Sequence, residues 1–310
     1  MADDHAGHVL DAIVTALGRL PRSPIMHYPS EQGLEYEDVT FPSADGVPLE
    51  GWFIPAPGSD RLVIVNHPMY FTRSGLPSHL EPWKSIWGPS GNDVEVDFTH
   101  DLAILHRAGY HVLTYDLRSH GLSGTGNGGI ASSGMFEARD VLGSLSYAAS
   151  RPDTRHSAVG LFSRCLGFNA TLYAMTLDPA AFANVRCLAG PQPVTEEVIL
   201  GRVLALAGVH EDPEELERRV RLATGIGFAA RATRTWAEQC TVPTYVYQVR
   251  DDVLTVPEDV QAIFDNIPVA DKRLSWIEGS TARWDGYLEF QRRPGQVLDW
   301  FARHLLPEPG

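Results

Sequence analysis

The stretch that most constrains this chain runs from Val159 to Met175: V-G-L-F-S-R-C-L-G-F-N-A-T-L-Y-A-M. An apolar run from Ala158 to Phe162 stops abruptly at Ser163-Arg164-Cys165-Leu166-Gly167. A helical pattern follows, with Leu166, Ala170, Leu172 and Tyr173 on its apolar side. A buried strand that turns at once into a helix needs small residues on both sides of its tip, where backbones come close and the chain is strained. Ser163 and Gly167 flank Cys165 in that way. A thiol held at a helix N-terminus also sits where the helix dipole favours a thiolate.

Around this stretch, apolar runs alternate with helical patterns. Two alternating runs, Tyr36 to Phe41 and Val47 to Ile54, flank Asp45-Gly46, a hairpin signal. The continuous apolar run at 61–66 is an expected strand buried on both faces, 111–117 is the next buried strand, and further strands are expected at 185–190, 243–249 and 273–277. Helices are expected at 8–19, 98–109, 135–150, 258–264 and 297–306. This order argues for an α/β chain whose mainly parallel sheet is covered on both faces. Residues 71–95 form a long insertion carrying Leu76, Leu80, Trp83, Ile86 and Trp87. That much apolar surface does not hang in water, so the insertion is expected to pack over a site. Residues 195–239 are helical and charged, and Glu214, Glu215 and Glu217 facing Arg218, Arg219 and Arg221 read as a solvated face.

The net charge of −14 argues against nucleic acid and against anionic membranes as partners. Three cysteines, Cys165, Cys187 and Cys240, give no disulfide framework and suit a cytoplasmic protein. No Cys/His spacing reads as a zinc site, and no cofactor motif is present, so neither metal nor cofactor is expected. Neither a signal peptide nor a transmembrane run is found. Nothing in the sequence fixes an oligomeric state.

The motifs together resemble the α/β-hydrolases. Small-x-Cys-x-Gly at 163–167 is similar to the nucleophile elbow of that superfamily, with cysteine as nucleophile as in dienelactone hydrolases. Asp116-Leu117-Arg118-Ser119-His120-Gly121-Leu122-Ser123 resembles the turn common after the preceding strand, and Arg250 to Pro257 resembles the loop carrying the triad carboxylate. The resemblance covers about Glu35 to Leu306. It implies a core at 35–194 and 242–310, a helical cap at 195–241, and an N-terminal helix and lead-in at 1–34. It implies Cys165 as nucleophile and Asp252 as the acid, with Asp251 the fallback. The implied oxyanion donors are the backbone N–H of Leu166 and of Met69 or Tyr70, because Pro68 has none. Tyr70, Arg164, Arg283 and Trp284 are the candidate substrate contacts.

One part of the pattern is missing. The loop after the last strand, Glu278 to Gly286, contains no histidine, and Ala282 or Arg283 stands in its place. Three readings follow. His67 or His120 serves Cys165 as base, in hydrolysis or acyl transfer of an ester, thioester or lactone. Or Arg283 bridges to Asp252, and the site performs transfer, lyase, isomerase or cyclase work on an acyl or carbonyl substrate. Or the scaffold binds a small molecule without reaction.

Overall fold

The computed structural model describes residues 2–209 and 213–305. Ten strands are described: β1 (Glu37–Pro42), β2 (Pro48–Ile54), β3 (Arg61–Asn66), β4 (Gly75–Leu76), β5 (Val96–Asp97), β6 (His111–Tyr115), β7 (Ala158–Ser163), β8 (Val185–Pro191), β9 (Thr244–Val249) and β10 (Lys272–Ile277). The helices are α1 (Ala2–Gly18), α2 (Trp83–Trp87), α3 (Thr99–Arg107), α4 (Ala138–Ser150), α5 (Leu166–Leu177), α6 (Glu196–Leu206), α7 (Pro213–Thr224), α8 (Thr233–Ala237), α9 (Pro257–Asn266), α10 (Arg283–Arg292) and α11 (Gly295–Leu305).

Eight strands make one sheet in the order β1-β2-β6-β3-β7-β8-β9-β10. The β1–β2 hairpin is antiparallel, β2 runs antiparallel to β6, and all later pairings are parallel. Parallel strands need both faces covered, and the alternation of side chains shows how this is met. On β3, Leu62 and Ile64 face one core with α4, α5, α8 and α9. Val63 and Val65 face the other, with α3, α10 and α11. A mainly parallel sheet with helices on both faces is therefore what the chain forms.

The chain leaves β3 towards β6 on one side and later returns to β7 on the other. At such a switch point the loops leaving adjacent strands splay apart and open a crevice at the carboxyl ends. The segments after β3, β7, β8, β9 and β10 all reach that edge. Three covers lie over it: α1, the insertion and α6. Leu10 and Leu17 of α1 pack with Leu200 and Leu204 of α6 and Leu216 and Val220 of α7. The insertion forms the small β4–β5 ribbon and α2, and its Leu76 and Trp83 pack in one cluster with Cys165.

One element differs from the sequence reading. Residues 283–286, expected as the end of the loop after the last strand, instead open α10 (Arg283–Arg292). Trp284, Tyr287, Leu288 and Gln291 fall at helical spacing, so the period was present. No described helix is long and apolar enough to cross a membrane.

Candidate active site

Cys165 sits at the end of β7 with φ 48° and ψ −108°. A residue with a Cβ is strained there and persists only where its surroundings fix it. They do so from both sides. The Cys165 N–H donates to Pro191 O at 3.0 Å, and the Asn169 N–H donates to Cys165 O at 3.0 Å. A Cβ on Gly167 would meet the Asn66 Cβ at 2.6 Å, so α5 approaches β3 as closely as it does only because residue 167 is glycine. Ser163 is tied to Asn66 Nδ2 at 2.8 Å, and Asn66 accepts from the Tyr115 hydroxyl at 2.7 Å. The thiol is thereby presented on a fixed tip.

Beside it stands a buried ion pair. Arg283 Nη1 donates to Asp252 Oδ2 at 2.6 Å, and both side chains are almost fully buried. Asp252 also accepts from Leu254 N–H (2.9 Å), Gln248 Nε2 (3.1 Å) and Thr255 Oγ1 (3.2 Å). Asp251 is exposed. Arg283 donates further to Gln192 O and, through Nε, to the Tyr287 hydroxyl at 3.1 Å. Gln192 Nε2 returns a bond to Arg283 O at 2.6 Å. The Tyr287 hydroxyl interacts in turn with the Cys165 thiol. Burial opposes a charge on Arg283, but Tyr287, Cys165 and Asp252 around it drive its pKa well above the ordinary value. Burial drives the Tyr287 pKa well above its ordinary value too, against the pull of Arg283. Both groups therefore keep their protons at neutral pH, and neither is a base.

The two histidines expected to serve the thiol are placed elsewhere. His67 Nε2 accepts from Leu117 N–H at 2.9 Å, which leaves Nδ1–H to donate to Pro68 O at 2.7 Å. Burial, with Arg73 and Arg164 adding to it against the Pro68 bond, lowers its pKa to about 4. His120 packs edge-on against it at 5.0 Å and is bound through Nδ1 to Arg118 O at 2.9 Å. Burial and the neighbouring His67 lower its pKa to about 3. Neither lines the cavity at Cys165, and no described lining residue is a histidine. Arg164, expected to meet substrate, instead turns into the core. Its guanidinium lies between Phe98 (4.3 Å) and Phe162 (3.9 Å) and pairs with Asp101. At a turn this sharp, consecutive side chains point to opposite sides.

The cavity over Cys165 has a volume of about 540 Å³. Leu166, Met69, Tyr70, Arg283 and Trp284 all line it. The Leu166 N–H opens α5 and, as in the first turn of any helix, has no partner within the helix. Tyr70, at φ 68°, turns the loop after β3 towards the cavity. The walls are overwhelmingly apolar, from α1, α2 and α6. Their polar members include Ser133, Asn169 and Glu196. These three, with Tyr287 and Gln192, are site residues that sequence reasoning missed. The helical spacing of Trp284 and Tyr287, and the position of Asn169 one turn after Cys165, were the signals available. Among the described residues, no group of three or more His, Cys, Asp or Glu is arranged to hold a metal ion.

No protein-family model and no curated protein sequence matches the chain. Solved structures do. An esterase from Pyrococcus furiosus superposes with a TM-score of 0.67 at 19% identity, covering 93% of this chain and 100% of its own. An α/β hydrolase from a Penicillium species gives 0.59 at 18% identity, with 88% and 99% covered. A dienelactone hydrolase from Anabaena variabilis gives 0.51 at 16% identity, with 88% and 100% covered. At these identities the likeness establishes the architecture, and this chain has the α/β-hydrolase fold.

Proposed function

We propose that this protein is an enzyme that takes up a small, largely apolar acyl compound (an ester, thioester or lactone) as a thioester on Cys165, and that it favours acyl transfer over hydrolysis. The observation that carries the reading is the thiol on its strained tip with Arg283, bound to Asp252, where a hydrolase of this fold would carry histidine. The Cys165 sulfur bonds to the carbonyl carbon, the bond from that carbon to the ester, thioester or ring heteroatom breaks, and the thiol proton leaves on the departing alcohol or thiol (on the new hydroxyl of an opened lactone); Arg283 places positive charge beside the sulfur. The oxygen that becomes negative lies near the N–H groups of Leu166 and of Met69 or Tyr70. Tyr70 and Trp284 hold the acyl chain. Asp252 keeps Arg283 in place. Hydrolysis needs a group to take a proton from water, and protonated Arg283 does not do so. The acyl group is therefore held until an acceptor brings its own nucleophile. The core at 35–194 and 242–310 carries this chemistry, while 1–34 and the cap at 195–241 shape the substrate.

Mass spectrometry of the intact protein after incubation with decanoyl-N-acetylcysteamine tests the reading. The expected result is one decanoyl adduct, located on Cys165 and lost in Cys165→Ala. A folded protein that forms no adduct removes the nucleophile. The same lack of an imidazole favours a second reading, lyase, isomerase or cyclase work without a covalent step, under which Cys165→Ala keeps most of its turnover.

A further inference from the structure

We propose that Ser133, Asn169 and Glu196 form a hydrogen-bonding subsite for a substrate hydroxyl, so that the acyl compound taken up carries a hydroxyl along its chain. The inference rests on the cavity being an acyl site, and it adds what distinguishes one acyl compound from another there.

The three residues lie in an otherwise apolar wall, and each is more than nine-tenths buried. Each turns one oxygen without a partner: Ser133 Oγ, Asn169 Oδ1 and Glu196 Oε1. Their other bonds fix which way those oxygens point. Asn169 Nδ2 donates to Val194 O at 2.9 Å, which assigns the amide and leaves Oδ1 free. Its N–H is bonded to Cys165 O, so the subsite begins one helical turn from the thiol. Glu196 Oε2 accepts from Arg231. Arg231 is held in place by Thr224 Oγ1 (2.6 Å) and Ile226 O (3.3 Å), and Oε1 is left over. Ser133 lies against the Glu196 carboxyl, close enough to oppose the rise in its pKa, while neither Ser133 Oγ nor Glu196 Oε1 has a partner in full hydrogen-bond geometry. Burial raises the Glu196 pKa, with Arg231 and Ser133 opposing it.

Buried polar atoms are almost always paired, and three unpaired oxygens converging on one cavity call for a shared donor. The chemistry of the set selects that donor. The two acceptors repel a carboxylate, and a bare carbonyl accepts from Ser133 alone and leaves both acceptors unpaired. A cation gains little, because Arg231 already balances Glu196. A hydroxyl fits: it donates to Glu196 or Asn169 and accepts from Ser133.

The test reads binding in the unreactive Cys165→Ala background. Quenching of Trp83, Trp87 and Trp284, which line the cavity, follows titration with decanoyl-N-acetylcysteamine and its 3-, 5-, 7- and 9-hydroxy derivatives. One hydroxyl position is expected to bind about tenfold tighter than the parent, the scale of a satisfied buried polar contact. Ser133→Gly, which suits the φ of 58° at this position, removes the hydroxyl. Glu196→Gln keeps an oxygen for Arg231 and turns an N–H₂ towards the cavity. Both are expected to shrink the preference, read within each variant as the affinity of the hydroxy derivative over that of the parent. If the parent binds and every hydroxy derivative binds more weakly, or if the preference survives both substitutions undiminished, the subsite is overturned alone. If no probe binds, the subsite and the acyl cavity fall together. A hydroxyl preference without a Cys165 adduct in the native protein removes the nucleophile and leaves the subsite standing.

Discussion

Cys165 occupies a backbone conformation that glycine enters freely and alanine does not (φ 48°, ψ −108°). Strain of this kind is of order 1–3 kcal/mol. Replacing Cys165 by Gly or by Ala removes the thiol equally, but only Gly removes the strain. Urea unfolding is therefore expected to find Cys165→Gly more stable than Cys165→Ala, by about 1 kcal/mol once glycine's larger unfolded-state entropy is offset. The reverse order would mean that the tip is relaxed. At the neighbouring ion pair the expectation runs the other way. Arg283→Met leaves Asp252 buried without its cation (2.6 Å in the native chain). The three other donors to Asp252 soften the loss, so a destabilisation of about 3 kcal/mol is expected by the same measurement. Cys165 and Asp252 were legible because each sits in a local motif. Arg283 was legible as the residue standing where a histidine should be. Gln192 and Glu196 were not, because only tertiary packing brings Gln192 to Arg283 and Glu196 to the cavity wall. Arg164 misled because adjacency along the chain is not adjacency in space at a sharp turn.

Among the elements, central strands such as β3, buried from Leu62 to Asn66, were readable as apolar runs, while the edge strand β10, with Lys272, Arg273 and Ser275 and a half-exposed pattern, was readable from its place after α9. The order of the strands in the sheet is not written in any one strand and comes from the structure alone. α10 departs from the expectation for a related reason: the resemblance implies a catalytic loop after β10, while Trp284 and Tyr287 stand at helical spacing. Elements also differ in what ties them down. The lead-in before β1 is held to the β4–β5 ribbon by His27, whose ring bonds Glu31 and Glu95 at 2.9 Å each, while its N–H donates to Ser74. The Glu31 bond above all, then Glu95 and Asp97, raises the His27 pKa to about 9 against its partial burial. A histidine whose folded pKa is raised adds stability in full below its unfolded value of about 6.5. That contribution falls as pH rises through 9. The difference in unfolding free energy between the native chain and His27→Gln is expected to be present at pH 6 and gone by pH 10. A constant difference across that range would show that the ring's charge contributes nothing.

On the scale of the whole molecule, the sheet supplies a rigid floor and three separate segments supply the roof. α1 reaches the cavity from the far end of the chain, with Ala12, Ile13, Ala16 and Leu17 among the lining residues. It is anchored by side-chain packing, by the Asp11–Arg219 bond at 2.8 Å and by the Ala131 N–H donating to Leu17 O at 2.8 Å, and none of these is part of the sheet's own ladder. Deletion of residues 1–18 is expected to leave the far-ultraviolet circular dichroism of the core and to weaken binding of decanoyl-N-acetylcysteamine at least about tenfold, the scale of losing a few buried methylenes. Unchanged affinity would move the binding site away from α1. The apolar insertion announced a cover in the sequence. That α1 joins it was only half visible, since its apolar stripe named a face without naming what the face would meet. At the rim, Ile86 of α2 and Leu206 of α6 are both substantially exposed and both line the cavity. An entrance greased on two sides makes the pocket a ruler. Each methylene added to a straight-chain ligand contributes about 0.8 kcal/mol, or roughly a fourfold gain in affinity. The gain stops at the chain length that fills the cavity, and the length at which the plot of affinity breaks measures the pocket from the ligand's side.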